Sequence, residues 1–189
     1  MNLCEDNRLK EECGLFGIYD KHGYDCAHLM YFALYALQHR GQESCGMAVN
    51  DDNNIFCHKD IGLVQDVFSD FILSQIKGNI AIGHVRYSTT GSNSRENAQP
   101  LVSKYVKGTL TVAHNGNLVN AKELRESLEQ QGAIFQTTND SEVIAYLIAK
   151  ERLTSASIEE AVSRTVPKLR GAFSLLIMSP RKLIALRDP

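Results

Sequence analysis

A chain of 189 residues is long enough for one well-buried core, and its composition is that of an ordinary globular protein with no low-complexity tract. A formal net charge of -2 gives no electrostatic footing for binding nucleic acid or an anionic membrane. No apolar run approaches the ~18 residues of a membrane span, and residues 1–12 carry Glu5, Asp6, Arg8, Lys10, Glu11 and Glu12 where a secretory signal needs an apolar stretch. The five cysteines (Cys4, Cys13, Cys26, Cys45 and Cys57) show no Cys-x-x-Cys, zinc or iron–sulfur ligand spacing, so no metal is expected in this chain. Their odd count fits a reducing cytoplasm, in which the Asn139-Asp140-Ser141 sequon carries no weight.

Taken in order, residues 13–19 carry Leu15, Phe16, Ile18 and Tyr19 in a strand-like run punctuated by Gly14 and Gly17. Glycines inside a strand suggest the close approach of another backbone or a ligand. From Ala27 to Leu37, Met30, Ala33, Leu34 and Leu37 recur at helical spacing, with Gly41 placed to take a positive φ at the helix end. Strands over 46–50 and 55–58 flank a polar hairpin loop, which also disposes of Asp51-Asp52 as a phosphate-binding acidic motif. The spacing predicts one helix over 65–76 and a strand over 80–87.

Residues 88–99 are almost all small or polar, and a loop of that length in a compact domain is usually functional or disordered. A strand over 109–113 is expected to end at His114-Asn115-Gly116-Asn117. Three helix starts then show cap-x-x-Glu spacing, at Asn120, Asn139 and Ser157, before two closing strands over 173–178 and 182–186. This order lacks the regular β-α alternation of a doubly wound parallel sheet and predicts two largely antiparallel sheets covered by helices.

Three polar clusters end these elements: 38–42, 83–87 and 114–117. Each has a plain structural explanation. His39 and Arg40 can oppose a helix dipole, Arg86 can be a surface strand residue, and Asn115-Gly116 can be a two-residue hairpin turn. Together with Cys13 they also make a kit for cleaving the side-chain amide of a free amino acid. The thiol is the nucleophile, and Asn115 with the Gly116 N–H stabilises the oxyanion. Arg86 grips a carboxylate, and Asp140 holds an α-ammonium. The general base is left open between His84, His114 and the α-amine that would appear if the chain were cut before Cys13. That amine has a reference pKa of about 7.7–8.0, well matched to a thiol.

The motifs ECGLFGI at 12–18, LQHRGQES at 37–44, GHVRYSTTG at 83–91, ENAQP at 96–100, AHNGNLVNA at 113–121 and TNDSE at 138–142 resemble the amidophosphoribosyltransferase family. The likeness runs from about residue 10 to the end, and LQHRGQ separates this family from the related hexosamine-forming amidotransferases. The resemblance implies an α+β fold, a four-layer α-β-β-α sandwich of the N-terminal-nucleophile hydrolase type. It implies a propeptide over 1–12, a glutaminase domain over 13–189, and Cys13 as nucleophile with its own α-amine as base.

It further implies Asn115 and Gly116 as the oxyanion hole, Arg86 for the glutamine carboxylate and Asp140 for its amine. Thr89 and Gly41 fall on further pocket positions, and Tyr87 lies on a segment that closes over glutamine; His84 and His114 revert to structural roles. In relatives a phosphoribosyltransferase domain follows, with magnesium, phosphoribosylpyrophosphate, in some an iron–sulfur cluster, and a homo-oligomeric assembly; this chain is expected to lack that domain. Cys45 stands where the family has a small residue and is read as packing. Alternatives remain: an unprocessed, silent precursor or glutamine-binding module, and the glutaminase domain of another amidotransferase of the same class.

Overall fold

A computed structural model describes residues 13–87 and 94–188. The expected propeptide over 1–12, the 88–93 part of the polar loop with Thr89, and Pro189 lie outside the described residues. One sheet contains β1 (Gly14–Tyr19), β2 (Ser44–Asp51), β3 (Asn54–Ile61) and β4 (Ile80–Arg86), in the order β1-β4-β2-β3. The other contains β5 (Leu101–Tyr105), β6 (Gly108–Leu118), β7 (Gly171–Ser179) and β8 (Lys182–Arg187), ordered as in the sequence. Every pairing in both sheets is antiparallel.

The two sheets pack face to face through Ala48, Ile82, Ala113, Leu176 and Met178. The outer face of the first sheet is covered by α1 (Ala27–Ala36), α2 (Val64–Val67) and α3 (Asp70–Gln75), through Met30, Leu34, Val64, Leu73 and their neighbours. That of the second is covered by α4 (Ala121–Glu129), α5 (Asp140–Thr154) and α6 (Ile158–Thr165), whose Leu128, Ile144, Ile148 and Val162 meet Val112, Phe173 and Ile177. The result is the expected α-β-β-α sandwich. Burial of each such side chain contributes roughly 1.5–3 kcal/mol. A strand with packed layers on both faces has no solvent side, which is why β2 is buried from Ser44 to Asn50 and shows no polar alternation.

Local signals explain several boundaries. Asp52 and Asn53 both have positive φ, 42° and 75°, so a two-residue turn of the type favoured in hairpins joins β2 to β3. Asn139 caps α5 by accepting the Ser141 N–H at 3.0 Å. Ser157 caps α6 by accepting the Glu160 N–H at 3.2 Å, while the Glu160 carboxylate accepts the Ala156 N–H at 2.8 Å.

Four expectations need correction. The single helix over 65–76 is two, because Ser69 takes an extended conformation and caps α3 by accepting the Ile72 N–H. Asn120 does not cap α4; its amide donates to the Lys168 carbonyl and accepts from the Arg170 N–H, tying the helix start to the chain before β7. Gly41 has an extended φ of -160°, not a positive one. Its missing Cβ serves close approach instead, since one built there would lie 2.6 Å from the Arg86 carbonyl carbon. The strand expected to stop at His114 runs on as β6 to Leu118, so Asn115-Gly116 is not a hairpin turn but mid-strand, opposite Ser174 and Phe173 of β7.

Candidate active site

The ends of β1, β4 and β6 meet at a cleft of about 200 Å³ lined by Cys13, Arg86, Tyr87, Asn115, Gly116, Asp140 and seven others. Cys13 stands one residue before β1, and β1 pairs with β4 such that Gly14 faces Val85. The thiol therefore sits beside the last residues of β4, where its sulfur lies 3.5 Å from both the backbone nitrogen and the carbonyl oxygen of Tyr87. The Cys13 backbone has φ 57°, a left-handed value uncommon for a residue with a side chain. Its carbonyl accepts from Arg40 Nε at 2.8 Å and from Asn115 Nδ2 at 3.4 Å. Arg40 thus does more than oppose a helix dipole.

Along a strand, successive residues turn their N–H and C=O groups to opposite edges. In β6 the odd-numbered residues face β7, and Val119 continues that ladder by donating to the Arg170 carbonyl at 2.9 Å. The even-numbered residues face the other edge. There β5 stops pairing at Leu101–Val112, and beyond it the His114 N–H donates to Gln99 Oε1 at 2.7 Å and the Leu118 N–H to Asp140 Oδ2 at 3.1 Å. Between these two, the Gly116 N–H points to the same edge, into the cleft. Gly116 has φ 142°, and a Cβ there would lie 2.1 Å from the Ala172 carbonyl oxygen, so only glycine fits.

Asp140 is the first residue of α5, and its Oδ1 lies 3.3 Å from His114 Nδ1. Burial pushes the Asp140 carboxyl up, but the His114 hydrogen bond and charge and the N–H groups of Leu118 and Ser141 outweigh it, leaving it below the usual carboxylate value. Asp140 is therefore an anion at neutral pH. His114 Nδ1 is also 3.2 Å from Ser141 Oγ.

His84 is fully buried between the sheets, with Nε2 3.2 Å from the His114 carbonyl oxygen. Burial, then the neighbouring His114, pushes its pKa down to about 3. So weak a base, turned away from the cleft, is unsuited to take a thiol proton. Cys45, by contrast with Cys13, is fully buried in β2, and burial, then Asp60 and Asp66, raises its pKa to about 12.

Arg86 is 6% exposed and lines the cleft at the end of β4, with half-exposed Tyr87 beside it. Gly41 is not among the lining residues; it packs against the backbone of Arg86 from behind. Asn97, Gln99, Thr138 and Asn139 also line the cleft. Asn97 Nδ2 donates to Thr138 Oγ1 at 3.1 Å and its Oδ1 accepts the Thr138 N–H at 3.2 Å, holding the approach to α5. The only sequence signal for this pair of walls is the ENAQP and TNDSE motifs, which give no hint of which side chain faces which. Among the described residues no group of three or more His, Cys, Asp or Glu could hold a metal ion, and no helix is long and apolar enough to cross a membrane.

Comparison with known proteins bears on what this cleft is for. The profile of the glutamine amidotransferase domain matches residues 84–189, which include the end of β4 with Arg86, and all of β6 and α5. The chain belongs to that family. The amidophosphoribosyltransferase of Methanocaldococcus jannaschii is 52% identical over 177 residues, covering 94% of this chain and 38% of that protein. That of Bacillus subtilis is 43% identical over 188 residues, covering 99% of this chain and 39% of that protein, so the matched region takes in Cys13. The solved glutamine phosphoribosylpyrophosphate amidotransferase of B. subtilis, complexed with ADP and GMP, superposes with a TM-score of 0.83 at 41% identity, covering 93% of this chain and 37% of that one. The chain thus spans a little over a third of the length of these relatives, and it carries their glutamine amidotransferase part.

Proposed function

We propose that this chain hydrolyses glutamine to glutamate and ammonia through a thioester on Cys13. The observation that carries the reading is the meeting, at one cleft, of the Cys13 thiol, the outward-facing Gly116 N–H, the Asn115 amide, buried Arg86 and ionised Asp140. In this scheme Arg86 holds the substrate carboxylate and Asp140 its α-ammonium, which leaves the side-chain amide next to the sulfur. Once the chain is cut before Cys13, its α-amine takes the thiol proton as sulfur attacks the amide carbon. The Gly116 N–H and Asn115 carboxamide take the negative oxygen. The tetrahedral adduct expels ammonia, which carries away the proton held by the amine. Water then attacks the thioester, giving up a proton to the same amine, and glutamate leaves with the thiol restored.

The propeptide over 1–12 makes the cut decisive, since an uncut Cys13 has a peptide nitrogen in place of the amine. Thr89 is assigned to a further pocket position, and Tyr87 to the segment that closes over glutamine. In the longer protein the ammonia would convert phosphoribosylpyrophosphate to 5-phosphoribosylamine in purine synthesis, on a later magnesium-dependent domain of a cytoplasmic homo-oligomer. Intact-mass measurement together with ammonia release tests the core of this reading. A species beginning at Cys13 should release ammonia from glutamine and the full-length species should not; turnover by uncut chain, or none by cut chain, overturns it.

A further inference from the structure

We propose that Gln99 is the positioning residue of the oxyanion site, acting on it through the backbone of His114; this rests on the function proposed above. The β5–β6 pairing ends at Leu101 opposite Val112, and Gln99 lies just before it, against His114. At that point the partner is not the Gln99 backbone but its side chain. Its Oε1 accepts the His114 N–H at 2.7 Å and its Nε2 donates to the His114 carbonyl at 3.1 Å. A carboxamide has one acceptor and two donors in a plane and can replace one rung of a ladder, bond for bond. Gln99 is 4% exposed, so both bonds are made away from competing water.

The residue is itself fixed from the other sheet. A Cβ on Gly46 would lie 2.3 Å from the Gln99 carbonyl oxygen, so the bare glycine of β2 lets the Gln99 backbone rest on the first sheet while its side chain completes the second. Lys59 Nζ donates to the adjoining Ala98 carbonyl, and His84 Nε2 reaches the same His114 oxygen as Gln99 does. The His114–Asn115 peptide is the one that aims the Asn115 carboxamide and, one residue on, the Gly116 N–H. Holding it stops both oxyanion donors from turning together, a freedom that β7 alone, pairing only the opposite edge, does not remove.

The test uses the chain beginning at Cys13. Gln99→Glu keeps the acceptor for the His114 N–H and removes the donor, and should lower kcat by ~30-fold with KM within about threefold of wild type. Combined with Asn115→Ala it should be no more than about threefold worse than Asn115→Ala alone, since both act on one oxyanion site. If the carboxylate prevents folding, Gln99→Met fills the same space without polar atoms and faces the same criteria. A wild-type kcat, a change confined to KM, or multiplicative losses in the double variant overturns the proposal. Amide exchange at Asn115, whose N–H faces β7, followed by NMR, should quicken by ~10-fold in Gln99→Met and needs no turnover. Unchanged exchange at Asn115 therefore sinks the role of Gln99 even if the wild-type chain fails to hydrolyse glutamine, a failure that would count against the proposed function alone.

Discussion

Cys13 and Cys45 stand on opposite flanks of the same strand. β4 Val85 faces Gly14 of β1 on one side and Cys45 of β2 on the other, so the two thiols lie about two strand spacings, or ~10 Å, apart. Their surroundings share almost nothing. Cys45 is the second residue of β2, sealed by a helix layer above and a sheet below, and its proton is held to a pKa of about 12. Cys13 lies where β1 has not yet begun and β4 is ending, with the Tyr87 backbone at its sulfur and a polar cleft in front. Both thiols lie near strand ends, but Cys13 precedes the edge strand β1 and opens on the cleft, whereas β2 lies between β4 and β3 with packed layers on both faces.

Substituting the two thiols is the sharpest way to break this contrast. Cys13→Ala should lower glutamine hydrolysis by ~10⁴-fold or more in a steady-state ammonia assay. A loss under tenfold would show that the strand-end thiol is a bystander. Next in size, Asn115→Ala should cost ~10²–10³-fold in kcat with little change in KM. Asp140→Asn should act in the opposite way, raising KM for glutamine by ~10–100-fold through the loss of a charge-assisted bond to the α-ammonium. Equal effects of these two variants on kcat would mean that binding and oxyanion roles are not divided as assigned.

The sealed half of the contrast is probed by pH. His84 has its folded pKa depressed to about 3, against an ordinary 6.5. Between those values the unfolded chain binds a proton that the folded chain refuses, so stability falls as pH drops through that window. Urea midpoints should decline from pH 7 toward pH 4, and His84→Gln should flatten the slope. A slope unaffected by that change would mean that His84 charges in the folded state. Smallest of all, Cys45→Ala should lower unfolding free energy by about 1 kcal/mol and leave kcat within about twofold, as expected of a small buried group.

Much of the fold could be read from the residues because local signals and final packing agree. The Asp52-Asn53 turn, the caps at Asn139 and Ser157 and the apolar faces of α1 and α5 all say locally what the sandwich needs globally. The failures came where a distant partner overrode a local preference. Asn115-Gly116 has the composition of a turn, yet β7, more than fifty residues later, holds it straight as strand. Asn120 has the composition of a cap, yet the Arg170 amide claims its side-chain oxygen. Gly41 was legible as a required glycine but for the wrong reason, because only the folded chain brings Arg86 against it. In the site, the residues with their own chemistry were recognisable and those acting through the backbone, Arg40 and Gln99, were not. Arg40 has no evident reason to be there until the Cys13 carbonyl is brought against it, nor Gln99 until His114 of β6 lies alongside.

The left-handed backbone of Cys13 has a consequence for the proposed cut. A φ of 57° on a residue with a Cβ costs about 1–2 kcal/mol relative to the ordinary regions. That torsion is defined by the carbonyl carbon of the residue before it, so a chain that starts at Cys13 has no such angle. Severing the bond therefore discards the strained coordinate altogether, and the released amine can rotate beside the sulfur while Arg40 and Asn115 keep hold of the carbonyl. If the bond is cut as proposed, that step relieves the backbone strain at Cys13.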